Sequence, residues 1–369
     1  MKKICIITTT RAEFGLLKWL MKEVDKADEF CLQIIVTGAH LLKEQGYTID
    51  IIREEGFAID EIVDAQLDPS STESIADSMG RMAQAFSHSF AKLSPDYVVV
   101  LGDRYELLPI VNTAFVMRIP IVHIGGGDVT EGAIDDGIRN AVTMLSDYHF
   151  PGTVDSANNI VRMRGSDQNV WTVGEPGLDS FYREPPMNRD ELAENLGLDK
   201  QSRWVLFTYH AETKESLEYN LDAVKTCMAL LLKRDIQVVA TYSNADFGGR
   251  QINSILEEMA KRNPDKVKVV PSFGSRRYLS IMKQVAFVIG NSSSGILEAP
   301  TLGVPVVNIG NRQRGRHQCE NIIQADTSEN SIDSAITNAL ASTKAKKDCY
   351  WGDGHTAERI IEIMKREFN

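Results

Sequence analysis

The sequence has no apolar run near the roughly 18 residues that a membrane-spanning helix requires. Its first apolar stretch, residues 4–7, ends at once in three threonines, too short for a signal-peptide core. A membrane partner is therefore excluded from the expectations, and a cytoplasmic protein is expected. Cysteine is scarce: Cys5, Cys31, Cys227, Cys319 and Cys349 are odd in number and scattered, with no CxxC spacing. That excludes a disulfide framework and a zinc ribbon, and predicts reduced thiols and no metal. Basic charge is in deficit, with 40 Lys and Arg against 51 Asp and Glu for a net charge of -11, which argues against a nucleic-acid partner. There is no GxxxxGK[ST], no HExxH and no GxSxG, and the GGGD at residues 125–128 lacks the GxGxxG arrangement. P-loop, zinc-protease and serine-hydrolase chemistry are thereby set aside.

What is present is a regular alternation. Short β-branched runs at residues 3–8, 32–37, 97–101, 119–124 and 171–173 are nearly continuous apolar segments, as strands covered on both faces should be. Longer amphipathic stretches separate them, so the pattern is βαβ and the sheet parallel. A stretch rich in glycine and proline follows at residues 174–186, and a second alternating set begins at residues 204–208 and continues through 236–241, 267–270, 285–289 and 304–309. The length of 369 residues exceeds what one core usually supports, and two similar α/β halves are the simplest account. A last amphipathic helix is predicted over residues 356–368.

The chemistry-bearing residues sit where apolar runs end. LGDRYE and HIGGGDVTEGAIDDGIR gather Asp103, Glu106, Asp128, Glu131, Asp135 and Asp136 beside Arg104 and Arg139. Ligands of open parallel sheets bind beyond the strand C-termini, so these carboxylates are candidates for proton transfer. IGNSSSGILEAP, with Ser292, Ser293, Gly295 and Glu298, offers hydroxyls, backbone N–H groups and a helix start for an anion such as a diphosphate, with Glu298 placed to accept from ribose hydroxyls. The alternative is a serine-rich helix cap and nothing more. Arg11 in TTTRAEFG, His210 in FTYHAET, Asn244 and Asp246 in SNAD, and Arg312 in NIGNRQRGRH fall at further strand ends, and each could instead be structural or solvated.

Taken together and in order, TRAEFG, VTGAHL, LGDRYE, HIGGGDVTEGAIDDGIR, YHAET, SNAD, IGNSSSGILEAP and GNRQRGR resemble the hydrolysing UDP-N-acetylglucosamine 2-epimerases of sialic-acid and related nonulosonate biosynthesis. The resemblance implies a GT-B-like α/β fold. Two Rossmann-like domains would span residues 1–174 and 175–352, with substrate in a central cleft and a C-terminal helix, 353–369, crossing back to the first. It implies a UDP-linked 2-acetamido sugar as substrate, no cofactor or metal, and a homodimer or homotetramer. The family reaction eliminates UDP to a glycal and adds water, giving N-acetylmannosamine from UDP-N-acetylglucosamine.

By motif match, Asp103 and Asp135 correspond to catalytic acids, Asp136, Arg104 and Arg139 to substrate contacts, and His210 to a catalytic residue facing the diphosphate. Arg11, Ser292, Ser293, Gly295, Glu298 and Arg312 fall in the nucleotide-binding motifs, and Asn244 and Asp246 in a polar motif at the cleft edge. The chain departs from the pattern at Gly125, where several members carry a glutamate treated as a catalytic acid or base. Asp128 or Glu131 could take that role. GGDVTEGAID and GEPGLD lean toward relatives acting on UDP-N,N'-diacetylbacillosamine. A GT-B glycosyltransferase, which would need an acceptor, and a nucleotide-sugar-binding protein without turnover are the readings from other classes.

Overall fold

The computed structural model describes the chain apart from residues 43–46, 69, 130–133, 213–214, 244–247, 272, 343–345 and 369. It divides into two compact units, Met1–Asp179 with Gly352–Asn369, and Ser180–Trp351.

The first unit holds strands β1 (Lys2–Thr8), β2 (Phe30–Thr37), β3 (Glu61–Val63), β4 (Tyr97–Leu101), β5 (Ile121–Ile124) and β6 (Tyr148–Phe150). They pair in parallel in the order β3-β2-β1-β4-β5-β6. Every residue of β4 is buried, because helices cover both faces of the sheet and leave no polar side for an alternating pattern. The second unit repeats this order. Its strands β7 (Trp204–Thr208), β8 (Gln237–Thr241), β9 (Val267–Val270), β10 (Phe287–Gly290), β11 (Val306–Ile309) and β12 (Ile322–Ala325) run β12-β11-β10-β7-β8-β9. Each sheet is therefore a doubly wound Rossmann-type sheet whose order reverses beside its first strand, at β1/β4 and at β7/β10.

Three strands escape the sequence reading: β3, β6 and β12 are short, of three or four residues, and lie at or next to sheet edges. Conversely, the strand expected at residues 171–173 does not form. Trp171 and Val173 donate to the carbonyls of His149 and Pro151, at 3.0 Å each, but the pairing does not extend beyond a lone bridge at Val170.

The last helix, Thr356–Glu367, turns Ala357, Ile360, Ile361 and Met364 into the core of the first unit. Phe368 stacks on Tyr97 of β4 with ring centroids 3.9 Å apart. The buried Asp179 carboxylate accepts the N–H groups of Thr356 and Ala357 at 2.9 and 2.8 Å, so a side chain 177 residues upstream caps this helix.

Candidate active site

In the first unit the turns after β1 and β4 stand at the reversal point. Thr10 caps helix Arg11–Lys26, and Glu13 completes a capping box by accepting Thr9 N–H at 2.6 Å and Thr10 N–H at 3.2 Å. Burial pushes the Glu13 carboxyl up to about 7, against the lowering effect of its Thr9 bonds and of Arg104. Arg11, at the start of the helix, is exposed. At the end of β1, Thr8 Oγ1 meets Nε2 of His40, which follows the neighbouring strand β2, at 3.0 Å while Thr48 holds the other ring nitrogen at 2.8 Å, which gives the VTGAHL motif a structural job.

After β4, Arg104 pairs with the fully buried Glu106 at 2.8 Å. Asp103 pairs with Arg139, whose guanidinium is nearly buried. Arg139 also donates to Asp136 at 3.2 Å and to the Asp128 carbonyl at 2.8 Å, so one cation gathers three of the sequence-predicted residues. The Asp128 carboxylate accepts from Ser156 on the adjoining helix Val154–Arg164. Beneath them, His123 of β5 contacts the Gly102 carbonyl at 2.9 Å and Thr143 at 3.2 Å, and burial lowers its pKa to about 4. Asp135 occupies the first turn of helix Ile134–Leu145, half-buried. Glu131 lies outside the described residues.

Gly125 has φ of 75°, and a Cβ built there would meet only Gly102 N, at 3.9 Å. A Cβ is therefore accommodated without a clash. The left-handed backbone is what disfavours one, by about 1–2 kcal/mol.

The reversal point of the second unit is built differently. At the end of β10, Gly290 runs so close to β7 that a Cβ would lie 1.9 Å from the Thr208 carbonyl. The next residue, Asn291, is fully buried and binds His210 reciprocally, accepting its N–H at 2.7 Å and donating to its carbonyl at 2.8 Å. The Asn291 carbonyl in turn accepts from Arg312 at 3.2 Å and Gln313 at 2.8 Å. Ser292 caps helix Ser293–Leu297, and Ser294 donates to the Ser292 hydroxyl at 3.0 Å while also bonding Tyr278 at 2.5 Å. Gly295 packs against Val306.

That helix is only five residues long, and Glu298 is its C-cap rather than an interior residue, because Ala299–Leu302 with Pro300 turns to 3-10 geometry. Donors there are individual N–H and hydroxyl groups, not a long-helix dipole. Burial pushes the Glu298 carboxyl up to about 7, and its Oε2 is buried without a partner.

Within each unit, then, the structure joins what the sequence left separate: Asp103, Asp128, Asp136 and Arg139 in the first, His210, Ser292 and Arg312 around Asn291 in the second. Asn244 and Asp246 lie outside the described residues. Sequence reasoning missed Asn291, Glu13 and Glu212 as organising groups. Glu212 is buried, its carboxyl raised by burial, and accepts the Asn311 N–H at 3.3 Å. Their only sequence signal was membership of the same strand-end motifs.

Two doubly wound units of one strand order, with the C-terminal helix returned to the first, make a GT-B-like α/β protein. A profile described as UDP-N-acetylglucosamine 2-epimerase matches residues 22–365, and the chain belongs to this family of enzymes. It is 37% identical over 336 residues to a GDP/UDP-N,N'-diacetylbacillosamine 2-epimerase (hydrolyzing) of Campylobacter jejuni, covering 91% of this chain and 86% of that one. It is 31% identical over 368 residues to a UDP-N,N'-diacetylbacillosamine 2-epimerase (hydrolyzing) of Legionella pneumophila, covering 99% and 96%. The crystal structure of UDP-GlcNAc 2-epimerase from Neisseria meningitidis bound to UDP-GlcNAc shares the fold, with a TM-score of 0.80 over 100% of both chains at 17% identity.

Proposed function

We propose that the protein is a hydrolysing 2-epimerase of a UDP-linked 2-acetamido sugar. In the proposed reaction a base removes the C2 proton, the C1–O bond to the diphosphate breaks, and UDP leaves a C1=C2 glycal. Water then supplies oxygen to C1 while a proton returns to C2 from the opposite face, so UDP-sugar and water become UDP and the free 2-epimeric sugar. The observation that carries this reading is the Asp103–Arg139–Asp136 cluster at the reversal point of a family member. Asp103 and Asp135 are assigned to proton transfer and Asp128, held by Ser156, to the role of the absent glutamate at Gly125; Glu131 stays the other candidate. Arg104, Asp136 and Arg139 are assigned to the sugar. Arg11, His210, Ser292, Ser293, Gly295, Glu298 and Arg312 are assigned to the nucleotide, and Asn244 and Asp246 to the edge of the site.

Between UDP-N-acetylglucosamine and UDP-N,N'-diacetylbacillosamine, the similarity to the Campylobacter and Legionella enzymes supports the second. A homodimer or homotetramer is supported by Phe115, Val116 and Met144, exposed at 54%, 78% and 54% on the adjoining helices Leu107–Val116 and Ile134–Leu145. The test is incubation with each nucleotide sugar in D2O, followed by proton NMR. Free manno-configured sugar deuterated at C2 is expected; UDP release only with an added acceptor, or binding without release, would sink the proposal.

A further inference from the structure

We propose that His317, Cys319 and Asp348 of the second unit bind one thiophilic divalent cation of the zinc type. Their imidazole nitrogen, sulfur and carboxylate oxygen lie within 4.8 Å of one another. His317 and Cys319 stand two residues apart in a stretch that is neither helix nor strand. Asp348 comes from a separate stretch anchored by its N–H to the Pro300 carbonyl at 3.1 Å, and its carboxylate accepts the Tyr350 N–H at 2.9 Å. The His317 ring stacks on Tyr350 with centroids 3.6 Å apart and planes 13° from parallel, which orients the imidazole beside that carboxylate. Cys319 is only 3% exposed whereas His317 is exposed, so the cluster has a closed sulfur end and an open imidazole end through which an ion can enter.

The donor set selects the cation. Magnesium and calcium need shells of oxygen, whereas one nitrogen, one sulfur and one oxygen suit zinc or cobalt. Zinc–ligand distances of about 2.0–2.3 Å place tetrahedral donors roughly 3.3–3.6 Å apart. The three groups must therefore close by about 1 Å when the cation binds. Three protein donors leave a fourth position for water.

The proton balance is explicit. Without metal, the Cys319 thiol is buried beside the Asp348 carboxylate and carries its proton. The cation takes the place of the thiol proton between sulfur and carboxylate: one metal–sulfur bond forms, one S–H bond breaks, and one proton leaves to solvent. No oxidation is involved, and affinity rises with pH. Occupancy would pin residues 317–319 to residue 348 just beyond the loop through which Arg312 and Gln313 hold the Asn291 carbonyl.

The test uses the full-length protein stripped with chelator and titrated with Co2+. A sulfur-to-cobalt charge-transfer band saturating near one equivalent and bleached by Zn2+ is expected. The band should vanish in Cys319→Ser, and apparent affinity should fall about tenfold or more in His317→Ala and Asp348→Asn. Cys349→Ser, which removes the exposed neighbouring thiol, should keep the band. Zinc should raise the melting temperature of the wild type but not of Cys319→Ser. His317→Ala alters an exposed side chain and keeps the test valid if Cys319→Ser fails to fold. Absence of the band, its survival in Cys319→Ser, undiminished affinity in His317→Ala, or its transfer to Cys349 would each overturn the site.

Discussion

Asp103 is 30% exposed in its side chain and tied to a guanidinium that is 6% exposed, so its carboxylate faces outward while its position is fixed from below. Asp103→Asn keeps the size and the hydrogen-bond acceptor but removes the proton-transfer group. Turnover should fall by about 10²–10⁴-fold, with UDP affinity measured by calorimetry unchanged within a few fold; full activity would refute the assignment. Glu298 predicts a pH dependence. Its free carboxyl is raised to about 7, and ribose hydroxyls would donate to the ionised form, so binding should release a proton. UDP affinity should therefore rise as pH increases toward 7 and level off above it. Glu298→Gln should bind with a flat profile, and an unaltered slope in that variant would exclude Glu298. Gly125 belongs to the same scale: a Cβ there would make only ordinary contact, so backbone handedness rather than a clash at that atom marks this chain's departure from the family pattern.

The capping side chains act at the scale of the element. Glu13 has a folded pKa of about 7 against an ordinary value of 4.5, so the folded state holds an extra proton between those values. Stability is fully present below about pH 4.5 and declines as pH rises toward 7, by at most about 3 kcal/mol at about 1.4 kcal/mol per unit. Glu13→Gln should flatten that decline in urea unfolding at pH 5 and 8; an unchanged difference between the two pH values would contradict the burial argument. Asp179 caps the last helix by two N–H bonds from a buried carboxylate. Asp179→Ala leaves both donors unsatisfied and should cost about 1–3 kcal/mol. The same unfolding measurement checks it, and a change under 0.5 kcal/mol, the range of ordinary surface substitutions, would mean that solvent replaces the cap.

For the whole molecule, the C-terminal helix belongs to the first unit although the second unit is interposed in the chain. Ile360, Ile361, Met364 and Phe368 are 7% exposed or less. At about 1.5–3 kcal/mol each, their burial amounts to roughly 6–12 kcal/mol, comparable with the entire stability of a domain. Truncation after Trp351 should therefore leave the first unit unfolded or aggregated, as judged by circular dichroism and size-exclusion chromatography. A soluble, cooperatively melting truncated protein would show that the helix is dispensable.

The sequence alone determined the alternation of strands and helices, because strands buried on both faces must be continuously apolar and the polar residues that end them stand out. It placed Asp103, His210 and Ser292 at strand ends for the same reason. It did not place the three-residue edge strands β3 and β6, which carry too few side chains for a pattern, nor the edge strand β12. Only the tertiary structure decided which polar groups meet. Asp103 and Arg139 are 36 residues apart, Asn291 and His210 are 81 apart, and Asp348 reaches His317 and Cys319 from a different segment. Spacing along the chain reports contacts only within one helix or strand; contacts across a sheet follow from strand order, which parallel packing sets after the elements have formed.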